Sequence, residues 1–232
     1  MKTFRNLKEE TKEAVTPEEI VENCSEFIQI MGEDHIEEYI LYRGINSPID
    51  IEKPIRKSIR KNRKPRDTPQ IIHELFSEYF EYNFNINPRG NGLPVTGSHK
   101  EAADYGNGSV FAVIPENGWN VVWSPHIEDL TMDAGDFISD RYNIPFQSLK
   151  KIKNNDELEQ IIGTDFSNFK EDLYKFLDRA NFQEGKENIK KAISSRNEIF
   201  LLGKSYILID DYKYPRIISE VLNIARERNL IT

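Results

Sequence analysis

Residues 196–209 read RNEIFLLGKSYILI, and this stretch decides how the chain is interpreted. Two apolar runs, 199–202 and 206–209, are separated by only three residues, which begin with Gly203. Short apolar runs joined by a connection that contains glycine predict a pair of β-strands. We therefore expect a hairpin or near-hairpin whose first strand begins at Glu198.

The Gly-Lys-Ser triplet at 203–205 raises the alternative of a phosphate loop. Such a loop needs a first glycine five residues before Gly203, because its turns must present backbone N–H groups to phosphate. That position holds Glu198, whose carboxylate would repel a phosphate. The Gly-Asn-Gly triplets at 90–92 and 106–108 likewise fail to complete a Rossmann glycine fingerprint. Both classes of nucleotide site are set aside.

Composition is that of an ordinary soluble domain. The 232 residues are 38% hydrophobic and carry a formal net charge of −8, which argues against general affinity for nucleic acid. No apolar stretch is long enough to span a membrane, and the charged N-terminus does not resemble a signal peptide. These features predict a cytoplasmic protein with no membrane contact.

Charge is distributed unevenly along the chain. Residues 53–66, KPIRKSIRKNRKPR, contain eight Lys or Arg and no acid; we call them the basic segment. One interpretation is a solvated, mobile connection, because basic runs are common on surfaces. The other is a site for the phosphates of a nucleic acid or dinucleotide. The sequence leaves both open.

The order of predicted elements favours an α+β domain. Helical periodicity is clear at 17–31, 71–80, 166–180 and near the C-terminus, whereas weak patterning at 125–164 predicts loops with short helices. The strands cluster between the helices without regular alternation. The predicted strands lie at 39–42, 109–115, 119–124 and in the stretch from 198 to 209. We expect an N-terminal helical extension (1–37) and one catalytic-sized domain (38–232).

Polar residues stand at the ends of three predicted strands. They are Arg43, the Thr96-Gly97-Ser98 corner and Glu198. Taken singly, each has a structural explanation: Arg43 could pair with an acid of the preceding helix, Ser98 could cap the helix that follows it, and Glu198 could be solvated. The histidines are scattered and there is one cysteine, so no metal site is expected.

Taken together, these positions resemble the ADP-ribosyltransferases of the Arg/Ser/Glu type, which include many bacterial toxins and bacteriophage enzymes. In that family an Arg ends the first core strand, a Ser/Thr-x-Ser motif follows a later strand, and a Glu begins another. The chain has Arg43, Ser98 and Glu198 in this order. The stretches RKNRKPRDTP and VTGSHKEAADYG also resemble a group of uncharacterised bacteriophage proteins. The resemblance spans residues 38–210.

The resemblance implies a split, strongly twisted sheet and a NAD-dependent mono-ADP-ribosyltransferase in a phage, phage-defence or toxin setting. It implies that Glu198 holds the 2′-hydroxyl of the nicotinamide ribose and stabilises the positive charge that develops as nicotinamide leaves. It also implies that Arg43 clamps the pyrophosphate or the adjacent ribose, and that Ser98 orients Glu198 or the ribose. The implied NAD-binding residues are Arg43, Gly44, Thr96, Ser98 and Tyr105. The implied acceptor-binding residues are Arg196, Asn197 and Arg63. No metal is required, and an antitoxin or inhibitor protein is an implied partner.

Two positions depart from the family pattern. Gly97 replaces the usual Thr, Ser or aromatic residue, which predicts a looser backbone. Arg196 stands where arginine-modifying relatives carry Glu, so an arginine acceptor is disfavoured, and RNA or DNA becomes a reasonable acceptor beside protein. The alternatives are a non-catalytic phage or defence module that binds through the basic segment, and a NAD glycohydrolase.

Overall fold

A computed structural model describes residues 13–32, 36, 38–46, 51–64, 67–106, 109–152 and 154–231. Within these ranges nine strands form one sheet, flanked by ten α-helices, which confirms the predicted α+β class. The strands are β1 (Glu13–Ala14), β2 (Leu41–Gly44), β3 (Ile55–Ser58), β4 (Leu93–Thr96), β5 (Val110–Pro115), β6 (Asn120–Trp123), β7 (Gln183–Glu184), β8 (Glu198–Leu202) and β9 (Ser205–Asp210).

The helices lie mainly outside the central strands. They are α1 (Pro17–Asn23), α2 (Ser25–Met31), α3 (Gln70–Phe84), α4 (Pro88–Asn91), α5 (His99–Tyr105), α6 (Leu130–Tyr142), α7 (Asn155–Ile162), α8 (Phe166–Ala180), α9 (Ile189–Ser195) and α10 (Tyr214–Glu227). Short 3₁₀ turns occur at Phe146–Lys151 and Lys186–Asn188. In the part of the chain that the structure describes, no helix is long and apolar enough to cross a membrane.

The sheet is antiparallel at every pairing, with the order β1-β3-β9-β5-β2-β4-β8-β6-β7. Its central junction is narrow. Strand β2 pairs with β5 through four residues but meets β4 at a single pair, Tyr42 opposite Thr96. The sheet therefore has two halves that separate beyond this pair.

The hairpin predicted from residues 198–209 is wrong. Both strands form, but they do not pair with each other: β8 lies between β4 and β6, and β9 lies between β3 and β5. With both edges of each strand already occupied, no edge remains for a hairpin. The apolar residues of β8 and β9 serve two different halves of the sheet.

The short β8–β9 connection requires the two halves to fold over each other. In the strand order β8 and β9 are four positions apart, which in a flat sheet would separate them by ~19 Å. The chain from Leu202 to Ser205 spans at most ~11 Å, because each residue extends less than ~3.8 Å. The sheet therefore cannot be flat between β8 and β9.

Two apolar clusters hold the sheet and helices together. The first contains α1, α2, α9 and α10 residues packed on the strands, with Ile20, Phe27 and Ile218 among its buried members. The second packs α3, α6, α7 and α8 over Val122 and Phe200. The amphipathic stripes predicted for α3 and α8 are confirmed, since these stripes supply the second cluster.

The predicted N-terminal extension lies partly outside the described residues. Its predicted helix at 17–31 is interrupted at Cys24, which ends α1 and begins α2. The start of α1 has a capping box, in which Thr16 and Glu19 bond reciprocally. Both helices contribute to the first apolar cluster, so they are an integral part of the core.

Much of the basic segment belongs to the sheet. Residues 55–58 form β3 between β1 and β9, with Ile55 and Ile59 buried. Arg56 is neutralised by Glu116, at 2.7 Å, and by Glu13, at 3.0 Å. The interpretation as a solvated connection is therefore wrong for β3. The apolar residues between the cations pack into the core, as a strand inside a sheet requires.

Candidate active site

Glu198 is a mostly buried carboxylate at the first position of β8. Its backbone N–H donates to the carbonyl of Glu128 at 2.8 Å, and it stands opposite Thr96 on β4. Its side chain is 14% exposed. One carboxylate oxygen, Oε2, accepts the backbone N–H of Leu130, the first residue of α6, at 3.2 Å. The sequence-based alternative of a solvated glutamate is not what the structure shows.

Burial raises the pKa of Glu198 to about 7. Asp129 raises this pKa further, whereas the guanidinium groups of Arg89 and Arg63 and the Leu130 N–H oppose the rise. Desolvation disfavours the charged carboxylate more than its neighbours favour it. A carboxylate that titrates near neutrality changes charge within the pH range in which proteins work, as is typical of functional groups.

Arg89 provides the nearest cation to Glu198. Its Nη1 lies 3.8 Å from Glu198 Oε1, and its side chain is only 12% exposed. The same guanidinium donates from Nη2 to the hydroxyls of Thr68, at 2.6 Å, and Thr131, at 3.0 Å. It also lies 5.8 Å from the ring centroids of both Phe76 and Phe200. Arg89 was not among the residues predicted from sequence.

Arg63 brings the basic segment to the same place. Its N–H donates to the Gly90 carbonyl at 2.8 Å and its Nη1 to the Gly92 carbonyl at 2.9 Å. Burial, together with the charges of Arg43 and Arg89, lowers the pKa of Arg63 to about 10, while Glu198 opposes this. The positive charges acting on Arg63 favour the approach of an anion, which would relieve this repulsion.

Arg43 lies at the narrow junction of the sheet. Beyond the Tyr42–Thr96 pair, β2 and β4 separate, and Nη1 of Arg43 donates to the Pro94 carbonyl of β4 at 2.7 Å. The guanidinium thus satisfies a backbone acceptor that continued strand pairing would otherwise have engaged. Burial lowers the pKa of Arg43, and Arg60 contributes to this. The hydrogen-bond partner of Arg43 is thus a backbone carbonyl. The structural explanation drawn from the sequence had expected an acidic side chain of the preceding helix.

The Thr96-Gly97-Ser98 corner is held by its own hydrogen bonds. Thr96 Oγ1 donates to the Arg196 carbonyl at 2.8 Å and accepts the Ser98 N–H at 3.0 Å. A Cβ on Gly97 would stand 1.9 Å from the Ile193 carbonyl oxygen of α9. The expected loose backbone is therefore wrong: glycine is required here because α9 approaches too closely for any side chain.

Ser98 is the N-cap of α5, which is the structural role that the sequence suggested for it. Its hydroxyl accepts the Glu101 N–H at 3.2 Å. Gly44, at the end of β2, permits the close approach of the same helix, because a Cβ there would lie 1.9 Å from the Ala102 carbonyl oxygen. These two residues fix α5 at the edge of the site.

We expect Ser98→Ala to lower the free energy of unfolding by about 1 kcal/mol, because the cap of α5 is lost. Ser98→Asn, which keeps a capping oxygen, should retain most of that stability. Urea denaturation measures both variants. Equal stability of wild type and Ser98→Ala would contradict the capping role, and an Asn variant that is stable but inactive would show that the hydroxyl is needed chemically.

Tyr105 reaches across from α5 to the start of α6. Its hydroxyl donates to Asp129 Oδ2, and Asp129 also caps α6 by accepting the Met132 N–H at 2.8 Å. Burial and the hydrogen bond to Asp129 raise the pKa of Tyr105, with a contribution from Glu198. Tyr105, half of whose surface is exposed, therefore contacts Asp129 and is influenced by the charge of Glu198.

The predicted acceptor-binding residues before Glu198 have backbone and packing roles. Arg196 is the C-cap of α9 with φ of 66°, and its carbonyl receives the Thr96 hydroxyl. Asn197 is buried, and its amide donates to the Ser124 carbonyl at 2.9 Å. The Arg196 side chain still extends from the loop that leads into Glu198.

The structure thus gathers most of the predicted residues, but not as one contact cluster. Thr96 stands opposite Glu198, and the charge of Glu198 acts on Arg63 and Tyr105. Arg43 acts on Arg63 only by charge repulsion, and its hydrogen bond is to the Pro94 carbonyl. The Ser98 hydroxyl instead faces α5. A groove of about 350 Å³ adjoins Arg63 and is lined by His73, Glu74 and Asn62 among others, but not by Glu198 or Arg43.

Chemically, the site combines one carboxylate that titrates near neutrality with three surrounding or nearby guanidinium groups. This is suited to an anionic ligand that also offers a hydroxyl or a developing positive charge. Among the described residues, no three His, Cys, Asp or Glu side chains are grouped to hold a metal ion. No protein-family model matches the chain, and no match was found among curated proteins or solved structures.

Proposed function

We propose that this protein is a NAD-dependent mono-ADP-ribosyltransferase that moves ADP-ribose from NAD to a macromolecular acceptor, nucleic acid or protein, in a phage, phage-defence or toxin setting. The observation that carries the proposal is Glu198: a mostly buried carboxylate whose charge acts on nearby guanidinium groups, on a strand adjacent to the one that ends in Thr96. The resemblance in sequence order and the narrow, folded junction of the sheet support it.

The residues fit the chemical demands of NAD. Its pyrophosphate carries negative charge, which the Arg43, Arg63 and Arg89 guanidinium groups would attract. Its nicotinamide ribose carries a 2′-hydroxyl, a donor suited to a carboxylate oxygen. Glu198 Oε2 already accepts the Leu130 N–H, so Oε1 is the oxygen that would accept the hydroxyl.

In the proposed reaction the bond between the ribose anomeric carbon and the nicotinamide nitrogen breaks, and its electron pair leaves with nicotinamide. The positive charge then spreads over the anomeric carbon and the ring oxygen, as in glycoside cleavage. The ionised Glu198 carboxylate stabilises that charge. A lone pair of the acceptor forms the new bond to the anomeric carbon, and the acceptor's proton passes to Glu198 or to solvent.

Incubation with NAD labelled in its adenylate part, in the presence of cell lysate, tests the proposal. Transfer predicts label in macromolecules; loss of that label to nuclease or to protease identifies the acceptor class. Free ADP-ribose without labelled macromolecules would indicate a NAD glycohydrolase. Intact NAD with the folded protein would overturn the proposed activity.

A nucleic-acid-binding module is the second candidate, because part of the basic segment remains available. Arg60, Lys61 and Lys64 are exposed, whereas Arg56 is neutralised and Arg63 is turned into the site. A binding module would hold polyanions through these exposed cations without consuming NAD. The NAD experiment separates the two functions.

If the acceptor is a nucleic acid, replacing Arg60, Lys61 and Lys64 by serine should weaken its modification, most strongly at low salt. Each lost phosphate contact should reduce the slope of log affinity against log salt by about one. Filter binding and labelling across a salt series measure this. A matched triple variant at the exposed Lys175, Arg179 and Arg216 should change neither quantity; equal effects of the two triples would show that only net charge matters.

A further inference from the structure

We infer that Arg89 is a positioning residue for the proposed reaction: it fixes and electrostatically supports the Glu198 carboxylate while leaving Oε1 open to a substrate hydroxyl. This role in catalysis depends on the proposed function. The interaction between the two side chains does not.

The guanidinium of Arg89 is fixed from several directions. The hydroxyls of Thr68 and Thr131 accept from its Nη2, and these hydroxyls are themselves 2.7 Å apart. Phe76 of α3 and Phe200 of β8 each present a ring at 5.8 Å. A cation held by two hydroxyls and two aromatic rings has little freedom to move, so its charge stays where the fold places it.

The distance from Arg89 to Glu198 is informative. At 3.8 Å, Nη1 is close enough for strong charge attraction but too far to be a hydrogen bond to Oε1. In the part of the chain that the structure describes, the hydrogen bond to the carboxylate is the one from Leu130 N–H to Oε2. Arg89 therefore supplies positive charge without using the lone pairs of Oε1.

The surroundings show why such a cation is needed. Burial disfavours the Glu198 anion, and Asp129 adds a like charge beside it. Of the charged groups that oppose these two effects, Arg89 has the largest influence and Arg63 a smaller one. Without Arg89 the carboxylate would hold its proton to higher pH, and the neutral acid would be a poor stabiliser of a positive ribose.

The shape of the pair argues against a purely structural ion pair. A buried pair that serves stability gains most from direct, two-pronged hydrogen bonding. Here the guanidinium directs its short hydrogen bonds to threonine hydroxyls and faces the carboxylate at longer range. This arrangement orients a charge toward Glu198 and keeps the carboxylate available.

The test is the titration of Glu198 in the full-length protein, followed by ¹³C NMR of labelled glutamate side chains. The signal is assigned by its loss in Glu198→Gln. Arg89→Met keeps the unbranched apolar stem between the two rings, and it should raise the titration midpoint by about one pH unit or more. Arg216→Met, which removes an exposed arginine on α10, should leave the midpoint unchanged.

The pH profile of NAD cleavage supplies the catalytic readout. In Arg89→Met we expect the rise in kcat to move to higher pH by the same interval as the NMR midpoint, so activity is depressed most near pH 7 and partly recovers in alkaline solution. A uniform loss at every pH would indicate structural damage and would overturn the positioning role.

Two further outcomes are decisive. An unchanged Glu198 midpoint in folded Arg89→Met would refute the inference, whether or not NAD is cleaved. Should Arg89→Met fail to fold, Thr131→Val removes one of the hydroxyls that hold Arg89, and an unshifted midpoint there would also refute it. A shifted midpoint in a protein that leaves NAD intact would retain the interaction and reject the proposed function alone.

Discussion

Glu198→Gln should abolish NAD cleavage, lowering kcat by about 100-fold or more, while the protein remains folded. The substitution keeps the size of the side chain and an oxygen to accept the Leu130 N–H, but it removes the negative charge that would stabilise the developing ribose cation. Steady-state release of nicotinamide measures the effect. Glu171→Gln, an exposed carboxylate on α8, should retain full activity.

The same variant should be more stable than wild type in alkaline solution. Burial raises the Glu198 pKa from its ordinary 4.5 to about 7, so the folded protein binds this proton more tightly than the unfolded chain does. The resulting stability, on the order of 3 kcal/mol, is present below pH about 4.5 and is lost as the pH rises through about 7.

Glutamine escapes this loss because it never ionises. Its advantage over wild type should therefore be largest at pH 8 and disappear near pH 5, as measured by thermal or urea unfolding at each pH. Full activity of a folded Glu198→Gln protein would remove Glu198 from the chemistry. A stability difference that does not vary with pH would show that the carboxylate is not desolvated.

Gly97→Ala should lower the free energy of unfolding by about 3 kcal/mol or more, because the added Cβ would lie 1.9 Å from the Ile193 carbonyl oxygen. Neither partner is a flexible side-chain end, so relief requires β4 and α9 to move apart. That movement would also strain the bond from the Thr96 hydroxyl to the Arg196 carbonyl. Urea unfolding measures the loss, and NAD cleavage should fall with it.

Gly163→Ala provides the control for this substitution. Gly163 has φ of 70° but nothing within 4 Å of an added Cβ, so only the cost of the left-handed conformation remains, about 1 kcal/mol. If the two variants lose equal stability, the close approach of α9 is not the reason for glycine at position 97.

Individual helices and strands were predicted from the sequence more accurately than the pairing of the strands in the sheet. Helices α3 and α8 follow from periodicity because their apolar residues fit the helical repeat closely, and strand β5 follows from a continuous apolar run. The weak pattern at 125–164 concealed the 13-residue α6. Nothing local distinguishes a hairpin from the crossover between β8 and β9, because the choice depends on distant strands that occupy their edges.

The same limit applies to the candidate site. Glu198 and Arg43 were found because Glu198 begins an apolar strand and Arg43 lies near the end of another. Arg89 was missed because it follows a proline in a turn-rich stretch, and its surroundings come from three separate segments that contain Thr68, Phe200 and Thr131. Only information about which residues of these distant segments contact one another would have identified Arg89.

The late position of β8 and β9 has a consequence for synthesis on the ribosome. Until the chain reaches Glu198, β3, β4, β5 and β6 each lack the neighbour that these last strands supply. A nascent chain would expose four open strand edges, which are sites for intermolecular pairing and aggregation. The sheet therefore cannot be completed before residue 210 has left the ribosome, and this non-local strand pairing favours slow folding.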